Sequence, residues 1–255
     1  MTKVATKPEH AVAAKLEHAP AEAEAPEVLS VDVGGTHVKM LVNGMDERRR
    51  FDSGPRLGPE QMVSFVLDQT DDWEFGAVSI GLPAPVLADR VVHEPVNLGR
   101  GWVGFDFGSA FDKPTKVLND AAMQAFGSYE GGRMLFLGLG TGLGSTMIVE
   151  GMIEPMELGH LPYRKATYED YVGEHGRKRR GKKRWTKAVH EVVELLFAAL
   201  EPDYIVLGGG NAERLHELPP NTRLGHNEDA FRGGFRLWIP PERTQRARAK
   251  HLATA

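Results

Sequence analysis

The sequence predicts an α/β chain of two similar domains with an anion-binding cleft between them, and three observations carry that prediction. The first is the stretch Leu29-Ser-Val-Asp-Val-Gly-Gly-Thr-His-Val-Lys-Met-Leu-Val-Asn-Gly44, which reads as two strands folded about a tight Gly34-Gly35-Thr36 turn. The second is Leu135-Phe-Leu-Gly-Leu-Gly-Thr-Gly-Leu-Gly-Ser-Thr-Met-Ile-Val-Glu-Gly151, about a hundred residues later, with the same order of apolar strand, glycine-threonine turn, apolar strand and closing glycine. The third is the alternation of short apolar strands with helical periodicity around these hairpins, as a layered α/β fold requires.

Composition limits the alternatives. At 255 residues and 41% hydrophobic, the chain is long enough for one large core or two modest ones. A net charge of -4 argues against a generally nucleic-acid-binding surface. With no cysteine there is neither a disulfide nor a thiolate metal site, which suits a reducing compartment. No run approaches the roughly 18 apolar residues of a spanning helix, and no secretory apolar core opens the chain. A cytoplasmic protein without membrane or nucleic-acid partner is expected.

Residues 1–26 are dominated by Ala, Glu, Lys and Pro and read as a disordered tail. In the first hairpin, Leu29, Val31 and Val33 lead in and Val38, Met40 and Val42 lead out at strand period, and Asn43-Gly44 supplies a second turn. Adjacent glycines let backbone N–H groups approach an anion, Thr36 adds a hydroxyl and Lys39 a charge. Asp32, just before the turn, can hold Mg²⁺ through water, since magnesium sites combine one or two carboxylates with substrate phosphates. The alternative is an ordinary hairpin whose glycines satisfy only turn geometry.

A helix is expected over 59–71, with Met62, Val63, Phe65, Val66 and Leu67 as its apolar side, then a strand over 77–80 ended by the loop Gly81-Leu-Pro-Ala-Pro85. His93 to Trp102 reads as an irregular loop with Trp102 half-buried. A short helix over 105–111 and a strand over 115–118 lead to Asn119-Asp120 and a helix from Ala121 to Phe126. At that junction Asp120 is either the helix N-cap or a general base facing a cleft. Glu157 and His160, in Pro155-Met-Glu-Leu-Gly-His160, can hydrogen-bond a polyhydroxylated ligand; two such residues are too few for a zinc site.

Arg177 to Arg184 concentrates seven positive charges in eight residues, as a solvated basic segment or a polyanion contact. Val189, Val192, Val193, Leu196, Phe197 and Leu200 form one helical face ending at Pro202. Tyr204 to Leu207 is a buried strand entering Gly208-Gly209-Gly210-Asn211 and a further helix, an arrangement that can accept the adenosine or α-phosphate end of a nucleotide. The chain from about Ile239 is expected to fray.

Taken in order, Asp32-Val-Gly-Gly-Thr-His-Val-Lys39, Asn119-Asp120, Leu139-Gly-Thr-Gly-Leu-Gly144, Glu157-Leu-Gly-His160 and Gly208-Gly-Gly210 resemble the ROK (repressor, open reading frame, kinase) family of sugar kinases over residues 28–238. Within it the chain is similar to the bacterial polyphosphate glucokinases. The resemblance implies an actin-like, ribonuclease-H-like fold of two α/β domains closing over a cleft, often as a homodimer, here 27–118 and 119–240 with a flexible tail at 241–255. It implies Asp120 as catalytic base and Asn97, Asn119, Glu157, His160 and Glu169 as hexose contacts. The phosphoryl group would lie between Gly34, Gly35 and Thr36 on one side and Gly140, Thr141 and Gly142 on the other, with the donor's nucleoside at Gly208 to Asn211.

The family's cysteine-rich zinc loop has no counterpart here, so no zinc is expected. Where the polyphosphate enzymes carry a Thr/Pro-rich segment, this chain has Ser53-Gly-Pro-Arg-Leu-Gly-Pro-Glu60, which leaves the donor open between ATP and polyphosphate. The expected reaction is Mg²⁺-dependent phosphorylation of a hexose, foremost the 6-OH of glucose. An N-acetylhexosamine or mannose kinase is the alternative. So is a silent sugar-binding regulator, although the 26-residue segment before the first hairpin is too short and too rich in Ala and Glu for a helix-turn-helix.

Overall fold

The computed structural model describes residues 26–226 and 228–239. The expected tails, apart from Pro26 at one end, lie outside the described residues. Chain order begins with β1 (Val28–Val33), β2 (His37–Val42), β3 (Arg49–Asp52), α1 (Pro59–Gln69), β4 (Ala77–Leu82) and the small hairpin β5 (Val86–Leu87) and β6 (Arg90–Val91). It continues with α2 (Phe107–Phe111), β7 (Thr115–Asn119) and α3 (Asp120–Ser128). The second half holds β8 (Arg133–Leu139), β9 (Leu143–Val149), β10 (Met152–Met156), a 3-10 turn Leu158–His160, and the two-residue strands β11 (Pro162–Tyr163) and β12 (Ala166–Thr167). Then come α4 (Tyr168–Val172), α5 (Glu174–Arg180), α6 (Lys182–Leu200), β13 (Tyr204–Gly208), a 3-10 turn Ala212–Arg214, β14 (Thr222–Leu224) and α7 (Asp229–Arg236).

The repeat seen in the sequence is a repeat of topology. One five-stranded sheet runs β3-β2-β1-β4-β7 and the other β10-β9-β8-β13-β14. In each, three strands form an antiparallel meander and two more add in parallel to the strand that opens the hairpin. Parallel strands require crossovers: α1, α2 and α4 to α6 lie in three of them, and the fourth, from β13 to β14, carries only the 3-10 turn Ala212–Arg214. The central strands are buried on both faces, from Val28 to Val33 except Asp32 and throughout Ala77–Leu82. Each sheet has its own apolar core, and α3 adds a third cluster with Ala125, Met134 and Phe136.

Four sequence expectations are corrected. Helix α1 buries Pro59, Met62, Val63 and Val66, which share one face at helical spacing. Phe65 and Leu67 sit off that face and are 44% and 37% exposed. Trp102 is fully buried beside Phe107. The strand over 77–80 continues to Leu82, because Gly81 and Leu82 still pair with Leu118 and Asn119, so the loop starts at Pro83. No α-helix starts directly after Gly210: a single 3-10 turn stands there, and Pro219-Pro220 close the segment before a helix can propagate.

Helix α7 returns to the first sheet and ties it to α3. A Cβ on Gly127 of α3 would lie 1.7 Å from the Asp229 carbonyl oxygen, and one on Gly233 of α7 would lie 1.8 Å from that of Met123, so the two helices cross backbone to backbone. The Gly234 carbonyl accepts from Ser79 Oγ at 2.7 Å, and Lys116 Nζ donates to the Leu237 carbonyl at 2.6 Å. Arg236 Nη1 donates to the carbonyls of Phe126, Gly127 and Tyr129 at 2.8, 2.8 and 3.0 Å, filling acceptors that the end of α3 leaves open. Helix α3 is therefore held at its C-terminal end, and its first residue is Asp120.

Candidate active site

Sheet register brings the first group of residues together. Asp32 pairs with Gly81, and Leu82 pairs with Asn119, so the carboxyl ends of β1, β4 and β7 share one edge of the sheet, where an open α/β sheet binds ligands. Asp120 follows on the first turn of α3. A Cβ on Gly81 would lie 3.5 Å from the Asp120 Cα, which is how closely β4 approaches this helix start.

The N-cap of α3 is Asn119, whose Oδ1 accepts from the Ala122 amide at 3.2 Å. Its Nδ2 donates to the Ala84 carbonyl at 3.3 Å, fixing the loop after β4. Asp120 is thus not the cap. Its Oδ1 accepts from the Ala121 amide at 2.8 Å, and the residue is half-buried with its carboxyl hemmed in by protein. Burial, then the Asp32 charge, and more weakly Glu157, raise the Asp120 carboxyl from 3.8 to about 6, against a lowering by the Ala121 amide. A carboxylate so placed is poised to take a proton near neutral pH.

The first turn is ordered from below. The Gly34 amide donates to the His37 carbonyl at 2.9 Å, and Ser53 Oγ donates to the Gly34 carbonyl at 2.6 Å. Gly35 and Thr36 stand exposed at its tip. Neither Gly34 nor Gly35 has positive φ; Gly35 serves close approach, because a Cβ there would lie 3.1 Å from the Asn97 Cβ. Asn97 therefore stands beside the first turn, in the loop that Glu94 staples by accepting from the amides of Gly101 and Trp102 at 3.1 and 3.2 Å. Lys39 Nζ lies 3.2 Å from Asp32 Oδ2. Among the described residues no group of three or more His, Cys, Asp or Glu could hold a metal ion. A single carboxylate such as Asp32 suits Mg²⁺ carried mainly by phosphate and water.

The second turn is built from three directions. Glu169, on α4, has its Oε2 2.6 Å from where a Gly142 Cβ would stand and 3.4 Å from the same point on Gly159, and its Oε1 lies 3.7 Å from His160 Nε2. Glu169, His160 and the second turn are thus one cluster, and Glu157 reaches the field of Asp120 from the same loop. Glu157 and His160 are exposed, on the open side. The Gly140 carbonyl accepts from the Glu174 amide at 3.0 Å and from Asn211 Nδ2 at 3.3 Å.

The last glycine run packs against the second turn. Gly209 has φ +78°, and a Cβ there would meet the Leu139 backbone at 2.7 Å. Asn211 is 6% exposed, its amide donating to Leu139 O at 2.9 Å, so it locks β13 to the second turn. No α-helix starts at this run. The residues that sequence reasoning missed are positioning groups, Ser53, Glu94 and Glu174; isolated polar residues in loops carry no periodic signal.

The ROK family sequence model matches residues 28–176, more than half of the chain. The chain belongs to the ROK family. It is 24% identical over 213 residues to the polyphosphate glucokinase of Mycobacterium tuberculosis, covering 74% of this chain and 80% of that protein. An inorganic polyphosphate/ATP-glucomannokinase from Arthrobacter sp. superposes with a TM-score of 0.71 at 23% identity, over 84% of this chain and 98% of the other. A ROK family glucokinase from Streptomyces griseus, solved with glucose and AMPPNP, superposes with a TM-score of 0.62 at 16% identity, over 83% and 98%. The fold is thus the actin-like, ribonuclease-H-like fold of ROK sugar kinases, with mixed sheets.

Proposed function

We propose that this ROK protein is a hexose kinase that moves a phosphoryl group from ATP or polyphosphate to a sugar hydroxyl, foremost the 6-OH of glucose. The observation that carries the reading is Asp120: a carboxyl raised to about 6, not used as a helix cap, at the sheet edge in the field of Asp32 and Glu157. The relatives named above support the substrate class.

Asp120 accepts the proton as the sugar oxygen attacks the terminal phosphorus, and the bridging P–O bond breaks, leaving a donor one phosphate shorter. Glu157, His160, Glu169 and Asn97 orient the sugar, and Asn119 holds the helix start that presents Asp120. The turn tips, Gly35 and Thr36 on one side and Thr141 and Gly142 on the other, bind the transferring group together with Lys39. Asp32 would hold Mg²⁺, which would supply neutralising charge on the donor's phosphates.

The test is an assay of sugar phosphate formed from glucose, mannose and N-acetylmannosamine, each with ATP and with long-chain polyphosphate, with Mg²⁺ and with a chelator. Magnesium-dependent glucose 6-phosphate is the expected result. No product from any of these pairs overturns the reading.

A further inference from the structure

A cavity of about 170 Å³ opens between the α5–α6 corner and the turn Ala212–Arg214, lined by Arg177, Lys182, Trp185, Glu213, Arg214 and His216. Four of its six lining side chains are basic types and one, Glu213, is acidic. Arg177 is held by Glu174 through two hydrogen bonds of 2.8 and 2.7 Å, and Lys178 reaches the same carboxylate at 3.2 Å. These contacts, Arg177 foremost, hold Glu174 down to about 2. Lys182, Arg214 and His216 are exposed, and Lys182 Nζ contacts His216 Nε2 across the corner. Lys182 and His216 meet with no carboxylate between them, and such a pair of basic groups favours an anion. Arg179, Lys183 and Arg184 extend the charge over the adjoining surface.

The segments that line the cavity are tethered to the second glycine turn. The Gly140 carbonyl is gripped by the Glu174 amide, which opens α5, and by Asn211, which precedes the 212–214 turn. Both walls of the cavity therefore start at Gly140. Arg177 stands three residues beyond Glu174, or about 4.5 Å along the helix, and Arg214 three residues beyond Asn211. These two segments lead from the second turn to Arg177 and Arg214, and an anion with its reacting end at the turn would follow them outward. The lining suits phosphate better than a nucleoside. Its one aromatic ring, Trp185, is fully buried with Nε1 donating to the Val172 carbonyl at 2.7 Å, so no ring face is open for a base to stack on.

We propose that this cavity is a subsite for the trailing phosphates of a linear inorganic polyphosphate donor, which makes the second turn the inner end of a polyphosphate track. The proposal rests on the kinase reading for what happens at the inner end, but binding at the cavity can be measured without turnover.

The experiment compares wild type, Lys182→Ala/His216→Ala and Arg214→Ala with Lys183→Ala, which removes one positive charge outside the cavity. Long-chain polyphosphate is titrated by calorimetry at two salt concentrations, and initial rates are taken with long-chain polyphosphate, tripolyphosphate and ATP. The expected result is that the cavity variants bind long-chain polyphosphate at least about tenfold more weakly and raise its KM to match, with kcat within about twofold, while Lys183→Ala stays near wild type. Wild-type binding weakens with salt, and less steeply in the variants. Cavity variants that bind long-chain polyphosphate like wild type overturn the proposal, as does an equal rise in KM for ATP, which would make the cavity a nucleotide site. Transfer from ATP by a wild type that binds no polyphosphate also overturns it and leaves the kinase reading standing. Loss of transfer from every donor, with cavity-dependent binding intact, removes the kinase reading and keeps the anion site.

Discussion

Replacing Asp120 by Asn separates a catalytic carboxylate from a structural one, because the two roles predict stability changes of opposite sign. Protein around the carboxyl and the charges of Asp32 and Glu157 raise Asp120 from 3.8 to about 6. A raised acid contributes stability that is fully present below its unfolded value and is lost as pH rises through the folded value. At pH 8 the ionised carboxylate is therefore a burden on the fold. At about 1.4 kcal/mol per pH unit the rise corresponds to about 3 kcal/mol, and partial exposure of the residue reduces this to about 1–2 kcal/mol. Asn keeps the acceptor that meets the Ala121 amide and removes the charge. Asp120→Asn should then be more stable than wild type at pH 8 by a few degrees in Tm, lose the advantage through pH 6 and match wild type by about pH 4. Its turnover should fall by at least about a hundredfold. Thermal unfolding at pH 8, 6 and 4 checks this. A variant less stable than wild type at pH 8, or a gain that ignores pH, refutes the reasoning.

Other outcomes follow from the same geometry. The acid limb of kcat/KM should break near pH 6, and Asp32→Asn should move that break lower without reaching 3.8, since burial is the larger cause; a pH–rate profile with an unmoved break contradicts the coupling. Gly142→Ala drives a methyl to 2.6 Å from Glu169 Oε2 and should raise the hexose KM by at least about tenfold with the fold retained, as read by circular dichroism beside kinetics. Gly127→Ala places a methyl 1.7 Å from a backbone oxygen and should cost about 3 kcal/mol or more in urea unfolding. Gly140→Ala meets nothing within 4 Å and should stay within about 0.5 kcal/mol of wild type.

The two hairpins were legible in the sequence because each strand alternates or runs apolar up to a glycine-rich turn, and register then follows from the buried face. The α6 face was legible for the same reason, with Val189, Val192, Val193 and Leu196 buried as their spacing demands. The outer strands β3 and β10 left little trace. Arg49–Asp52 and Met152–Met156 are exposed or half-buried edge strands, one rich in charge and the other carrying Pro155, and pair only on one side. Helix α7 was hidden by Gly233-Gly234, residues that read as breakers and that the fold uses for a backbone crossing against α3. At the site, Asn119-Asp120 was visible as a junction, but which residue caps and which stays available depends on one hydrogen bond to Ala122. Glu169 stands against Gly142 and His160, a contact that its local sequence could not reveal.

The central claim is that Asp120 takes the proton of a bound hexose as phosphoryl transfer occurs. Its most direct test measures glucose 6-phosphate formation and calorimetric glucose binding on the same preparations of wild type and Asp120→Asn. The account predicts product from wild type, at least about a hundredfold less from the variant, and glucose affinities within a few-fold of each other. A variant that turns over like wild type, or a wild type that neither binds glucose nor phosphorylates it, contradicts the account.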